Sequence, residues 1–167
     1  MTDPTPIDAT EILNAMHVGT WAGAMGLHLV SATRDQVVAE VELRSTHLQP
    51  HGITHGGVHA SIIESLCSIG AALDAGVHGR TVVGLENHTS FIRAARSGTL
   101  RATATPITRG RTTQVWETTI RDGAGAIVAT GRVRLLVLER DAAKPDLLDE
   151  IIKPLAPEPK EAAAAEK

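Results

Sequence analysis

Residues 55–73, His-Gly-Gly-Val-His-Ala-Ser-Ile-Ile-Glu-Ser-Leu-Cys-Ser-Ile-Gly-Ala-Ala-Leu, hold one acid, no lysine and no arginine. No other stretch constrains the fold as strongly. At 100° per residue, Val58, Ile62, Leu66, Ile69 and Leu73 form one aliphatic face of a long helix. Gly57, Ala60, Ser61, Glu64, Cys67, Ser68 and Ala71 form a second face, almost all of small residues. A helix apolar nearly all round must be wrapped on most sides. The small face invites close approach, and Glu64 stands at its centre, where an unpaired carboxylate is costly to bury. The acid is either paired for structural reasons or placed there to react.

The rest of the chain supplies the wrapping. Residues 7–21 read as a short helix, with Ile12, Leu13, Met16 and Val18 as its apolar positions and Asp8 or Thr10 near its start. Residues 27–32 and 37–43 read as two strands joined by a polar turn at Thr33-Arg34-Asp35. In the second, Val37, Ala39, Val41 and Leu43 alternate with Val38, Glu40 and Glu42, the pattern of a half-buried strand. A histidine-rich loop, 46–54, leads into the long helix, and Gly76 is the expected C-terminal stop. Beyond it, residues 81–92, 99–108, 113–121 and 126–138 read as strands, the last two joined by an Asp122-Gly123-Ala124-Gly125 hairpin turn. This order predicts an α+β domain: an antiparallel sheet of five or six strands curled around one central helix. Residues 1–25 form an N-terminal segment, 26–140 the domain proper, and 141–167 a tail rich in Ala, Pro, Glu and Lys. The tail is expected to be largely disordered, with one helical turn near 147–152.

Composition removes several classes of function. The net charge of −3 and an aromatic content of 2% argue against nucleic acid or an anionic membrane as partner. Cys67, the one cysteine of the chain, excludes an intramolecular disulfide and fits a reducing compartment. The first six residues lack the apolar core of a signal peptide, and no run reaches the roughly 18 apolar residues of a membrane span. These features lead to the expectation of a cytoplasmic protein.

One set of motifs goes further. Gln49-Pro50-x-Gly52-x-x-His55-Gly56-Gly57, then Glu64 nine residues after His55, then Asn87-x-x-x-Phe91-x-Arg93, Gly110-Arg111 and Asp122-Gly123 run in that order. Together they resemble the hotdog-fold acyl-CoA thioesterases, above all the PaaI-like group with the Arthrobacter-type 4-hydroxybenzoyl-CoA thioesterases, over residues 26–138. The resemblance implies a hotdog fold and hydrolysis of a small aryl- or acyl-CoA, with coenzyme A as part of the substrate and no separate cofactor. It also implies a homodimer as the minimum active unit, assembled as a homotetramer. By the same resemblance the Gly56 N–H polarises the thioester carbonyl, His55 orients the thioester or its loop, and Gln49 contacts the thioester region or its water. Glu64 is then nucleophile or general base, with Ser68 on the same face to orient water or hold the carboxylate. Gly57, Arg93, Arg109, Gly110, Arg111, Thr112 and Thr113 are the candidate contacts of the coenzyme A portion.

Elementary chemistry is compatible with those roles. A thioester carbonyl needs a polariser and an attacking group. A helix start offers unpaired N–H groups at the positive end of its dipole, and glycine there permits close approach of a ligand. Nucleophilic and general-base roles for Glu64 both need only an ionised carboxylate beside the carbonyl, so the two stay open. Two other classes are weighed against hydrolysis. An acyl-CoA hydratase on the same fold uses a His–Asp or His–Glu pair, and no Asp-x-x-x-x-His motif of that type occurs. A non-catalytic acyl-CoA binding or sensing module would have no need of Glu64. His47, His51, His55 and His59 recur every four residues, as ligands sharing a metal on a helix would. Pro50 and Gly52 break any helix through the first three, so no metal is expected. Cys67 lacks a nearby base and is read as a buried thiol rather than a nucleophile.

Overall fold

The computed structural model describes residues 8–140. The expected tail, including its helical turn near 147–152, lies outside the described residues. Six antiparallel strands form one sheet in the order β1-β2-β4-β5-β6-β3. They are β1 His28–Ala32, β2 Val37–Glu42, β3 Arg80–Phe91, β4 Thr99–Arg109, β5 Thr113–Arg121 and β6 Ile127–Glu139. The long helix, α3 Gly56–Gly76, follows β2 and delivers the chain to β3 at the opposite edge of the sheet. It packs against β2 through β6, so the sheet curls around it. This is the hotdog fold, an α+β architecture.

The helix ends at Gly76, as expected, but without the left-handed glycine cap. Gly76 is the last helical residue, Val77 caps it in helical conformation, and the left-handed residue is Gly79, at φ 67°. The two helix faces also divide differently. Ile62, Ile63, Leu66, Cys67 and Ala71 are fully buried, whereas Val58 and Ile69 are half-buried. Cys67 and Ala71 thus belong to the core because strands β5 and β6 come close enough to make even small residues interior; the Cys67 Sγ lies 3.2 Å from Thr118 Oγ1. The half-exposed stripe is Ala60, Ser61, Glu64, Ser65 and Ser68. By length and mean hydropathy alone α3 could cross a bilayer, but Ser61, Glu64, Ser65 and Ser68 interrupt its apolar run, the sheet wraps it, and half of its apolar window is buried.

The N-terminal helix is also shorter than expected. It breaks into α1 Thr10–Met16 and α2 Trp21–Ala24, because Gly19 takes φ 76° between them. Asp8 accepts hydrogen bonds from the Thr10 backbone N–H and hydroxyl, which fixes the start and lowers the Asp8 carboxyl below its ordinary value. Leu13 and Met25 join the main core, while Val18 and Trp21 stay exposed. In the β5–β6 turn, Gly125 rather than Gly123 takes the positive φ, 82°, and Asp122 Oδ1 accepts the N–H of Ala124 and of Ala126.

A buried polar network anchors the C-terminal end of α3. Trp116 Nε1 donates to Gln114 Oε1 (2.8 Å), and Gln114 Nε2 donates to Asp74 Oδ2 (3.0 Å). Arg34 and Arg109 both face Asp74 Oδ1 at 3.5 Å. The Trp116 ring packs against Gly70: a Cβ there would fall 2.4 Å from the indole. Gly70→Ala is therefore expected to destabilise the fold by about 1–3 kcal/mol through overpacking, outweighing the usual helical gain of about 1 kcal/mol. Urea unfolding tests this, and an alanine variant more stable than the parent would contradict the packing.

Candidate active site

The first group of predicted residues gathers at the N-terminal end of α3. Gln49, Pro50, His51 and Gly52 make a tight turn closed by the Gly52 N–H on the Gln49 carbonyl at 2.8 Å, with Gly52 at φ 72°. Arg96, absent from the sequence reading, clamps this turn by donating to the carbonyls of His51 (3.3 Å) and Gly52 (3.2 Å). His55 is the helix N-cap, and its Nδ1 accepts the Gly57 N–H at 2.9 Å. That cap leaves the N–H of Gly56, the first helical residue, without a partner among the described residues. Phe91 covers Gly56: a Cβ on that glycine would sit 2.8 Å from the ring. A cavity of about 330 Å³ opens here, lined by Gln49, Gly56, His59, Phe91 and Arg93 among others.

Glu64 is placed elsewhere. Its Oε2 accepts Asn87 Nδ2 at 2.9 Å, and its Oε1 accepts the Ser68 hydroxyl at 3.3 Å. Asn87 also donates to the Ala60 carbonyl (3.1 Å) and is itself oriented by Thr89, whose hydroxyl donates to Asn87 Oδ1 (2.8 Å). The carboxylate lies against the backbone of Gly84, where a Cβ would come within 2.9 Å of Oε1. Strand β3 slips its register between Gly84 and Glu86 at this point, a bulge of the kind often found beside active sites. No cation pairs with Glu64 among the described residues. Asn87 was visible in the sequence as a motif residue, but its bond to Glu64 depends on the bulge and could not be read.

Gly56 and Glu64 stand eight residues apart on one helix, about 12 Å along its axis. Glu64 does not line the cavity that holds Gly56. The Gly56 N–H and the same chain's Glu64 carboxylate thus have different surroundings, the first at the cavity and the second against β3.

The third group lies at the far end of α3, about 30 Å from Gly56. Arg109, Gly110 and Arg111 line a cavity of about 320 Å³ that also takes in Arg34, Asp74 and Arg80. Arg109 is already engaged: its guanidinium donates to Asp35 and to the Arg34 carbonyl, both at 2.7 Å, and lies 5.7 Å over the Trp116 ring. The Thr112 carbonyl accepts the Val137 N–H, and the Thr113 carbonyl accepts that of Gly110. Arg111 and Thr112 are exposed. The predicted residues thus fall into three groups along the helix, and a single chain does not bring them together.

Two buried groups complete the surroundings. Burial pushes the Cys67 thiol up to about 12, which keeps it protonated and unreactive at neutral pH. Burial pushes the His59 imidazole below its ordinary value, so it is neutral. Among the described residues no group of three or more His, Cys, Asp or Glu side chains is arranged to hold a metal.

Comparison with known proteins agrees with the architecture. The sequence profile described as "Thioesterase superfamily" matches residues 51–129. A Mycobacterium tuberculosis protein named as a candidate esterase is 40% identical over 117 residues, spanning 69% of this chain and 84% of the relative. The 1,4-dihydroxy-2-naphthoyl-CoA hydrolase of Escherichia coli is 31% identical over 128 residues, spanning 77% and 93%. A thioesterase structure from Haemophilus influenzae superposes with a TM-score of 0.74 at 32% identity, covering 78% of this chain and 90% of that one. The chain belongs to the thioesterase superfamily. It is a hotdog-fold thioester hydrolase.

The neutral, buried His59 carries a consequence for stability. Its folded form binds a proton less readily than the unfolded chain, so the stability it contributes is present above about 6.5 and is lost as pH falls further. Burial and the nearby Arg44 push His47 in the same direction. Urea midpoints are expected to drop between pH 7.5 and 5, and His59→Phe is expected to flatten that slope. An unchanged slope in the variant would show that His59 is not the group being titrated.

Proposed function

We propose that the chain hydrolyses the thioester of a small aryl- or acyl-CoA, in sites each shared by two copies. The observation that carries this reading is the split of the machinery: a mid-helix carboxylate held by Asn87 and Ser68, and an unpartnered N–H at Gly56, whose backbone lies about 12 Å along the helix axis from that of Glu64. A two-fold axis beside β3 would bring Glu64 of one copy to Gly56 of the other. Strand β3 supports such an axis, because it is a sheet edge and Val83, Leu85 and Phe91 along it are exposed. The coenzyme A ester named for the Escherichia coli relative favours the same substrate class.

In this arrangement the Gly56 N–H and the positive end of α3 stabilise the oxyanion that forms as the carbonyl carbon is attacked. As general base, Glu64 takes a proton from water, whose oxygen bonds to the carbonyl carbon. The C–S bond then breaks and the proton passes to the departing thiolate. As nucleophile, Glu64 bonds to the carbonyl carbon and the C–S bond breaks to expel the thiolate, leaving an acyl-enzyme anhydride; water opens it in a second step, releasing the free acid and a proton for the thiolate and restoring the carboxylate. Asn87 and Ser68 hold the carboxylate in place on either route. Gln49, at the mouth of the Gly56 cavity, contacts the thioester or its water. The Arg109-to-Thr113 hairpin, far from Gly56 in its own chain, would reach the nucleotide portion only from another copy, in a dimer or tetramer.

Thiol release from a panel of aryl-, short- and long-chain acyl-CoAs tests the activity. Glu64→Gln is expected to lower kcat by about 10²–10⁴-fold. Hydrolysis unaffected by that change would discard the role of Glu64, and absence of hydrolysis across the panel would discard the substrate class. Leu85→Asp, on the exposed edge, is expected to yield monomers by sedimentation and to lose activity in parallel. A fully active monomer would contradict the shared site.

A further inference from the structure

The side chain that holds Glu64 is itself held. Asn87 Nδ2 donates to Glu64 Oε2 at 2.9 Å and to the Ala60 carbonyl at 3.1 Å, while Asn87 Oδ1 accepts the Thr89 hydroxyl at 2.8 Å. Residues two apart on a strand share a face, and the register sets Asn87 opposite the buried Val133 and Thr89 opposite Gly131. A Cβ on Gly131 would lie 2.9 Å from Ile63, so this is the face of β3 and β6 that looks onto α3. Gly131 gives Thr89 no cross-strand side chain to pack against, and its hydroxyl is spent on Asn87. An amide has a donor end and an acceptor end. Turned over, Asn87 would set Oδ1 against two acceptors, the Ala60 carbonyl and the Glu64 carboxylate, and would lose the Thr89 bond. The Thr89 hydroxyl therefore selects the orientation in which a donor faces the carboxylate. That donor is the closer of the two on Glu64, since the Ser68 hydroxyl stands 3.3 Å from Oε1.

We propose that Thr89 is a positioning residue of the hydrolytic site: it fixes the Asn87 amide and, through it, the place of the Glu64 carboxylate. Thr89 does not line the Gly56 cavity and makes no hydrogen bond to the carboxylate among the described residues, so its effect on the reaction passes through Asn87. The inference rests on the thioesterase reading for the role of Glu64, and it adds the residue that keeps the neighbour of Glu64 aligned. Misplacing a reacting group by about 1 Å can cost about 10²-fold in rate. A single hydroxyl at this position thus matters more to turnover than to folding.

Two measurements on the full-length protein test this, one with substrate and one without. Thr89→Val removes the hydroxyl and keeps a β-branched side chain suited to a strand. With benzoyl-CoA and the other esters of the panel as probes, Thr89→Val is expected to lower kcat about 5–30-fold and to leave KM within about two-fold. Thr89→Ser should recover most of that loss. In the Asn87→Ala background Thr89→Val should cost nothing more, because the group it acts through is gone. An unchanged kcat in Thr89→Val, an equal loss in Thr89→Ser, or the full loss repeated on top of Asn87→Ala would overturn the inference. Without substrate, hydrogen exchange of the Asn87 side-chain amide is followed by NMR, its signals identified by their loss in Asn87→Ala. Exchange should quicken about 5–10-fold in Thr89→Val and slow again in Thr89→Ser. Equal exchange in the parent and both variants would also overturn the inference. If the exchange contrast holds but no ester is hydrolysed, the thioesterase reading fails alone. If the parent hydrolyses them and Thr89→Val moves neither measurement, the role of Thr89 fails alone.

Discussion

Covering one apolar helix governs the rest of the structure. Helix α3 buries Ile62, Ile63, Leu66, Cys67 and Ala71 completely against the curled sheet. The six strands do not close around it. Ala60, Ser61, Glu64, Ser65 and Ser68 are left half-exposed, beside an edge strand whose residues are exposed almost throughout from Val83 to Phe91. The fold therefore has a dry side, which holds it together, and an open side, which carries the carboxylate. Glu64 is tolerated on so apolar a helix because Asn87 and Ser68 donate to it and because it keeps some contact with solvent. The glycine at position 84 and the bulge after it make room for the carboxylate against β3.

The same division explains what the sequence could reveal. Strand positions were legible because alternation and turn residues are local signals: Thr113–Arg121 is found where it was expected, and the other strands differ by a residue or two at their ends. The helix faces were less legible. A wheel sorts residues by size, whereas Cys67 and Ala71 are buried by how near β5 and β6 approach. The N-terminal helix was read too long because its apolar positions run up to Val18, one residue before Gly19, where the backbone turns left-handed. Gly56, His55, Gln49 and Glu64 could be singled out from their spacing and their resemblance to a known family. The gap between Gly56 and Glu64 was legible too, since it follows from spacing and helix rise, but the placing of Arg109 to Thr113 at the far end of α3 was not, since it depends on the path of the strands. The bond of Asn87 to Glu64, the Arg96 clamp and the unpaired state of His59 were not legible either: the partners are 23 or more residues away, or are missing among the described residues.

Arg109 shows how an arginine beside a candidate binding loop can also serve the fold. It joins the turn at Arg34 and Asp35 to Asp74, the last acid of α3, and covers Trp116, whose ring in turn packs on Gly70. This network holds the C-terminal end of the helix in register with the sheet, and the N-terminal end is held by the His55 cap and the Arg96 clamp. With both ends fixed, the positions of Gly56 and Glu64 along the helix are fixed as well. The distance between them is then a property of the scaffold, and a second copy offers the means of closing it.

Subunit mixing tests that claim most directly. Glu64→Gln removes the carboxylate, and Gly56→Pro removes the N–H at a first helical position, where the exposed Phe91 ring must swing aside for the proline. Each variant alone should be inactive. If the two groups meet across a two-fold axis, dissociating and reassociating an equal mixture places one intact site in each mixed dimer and restores about a quarter of the parent activity. If Glu64 and Gly56 of the same chain serve the same carbonyl, the mixture stays inactive, and the account of a shared site is wrong.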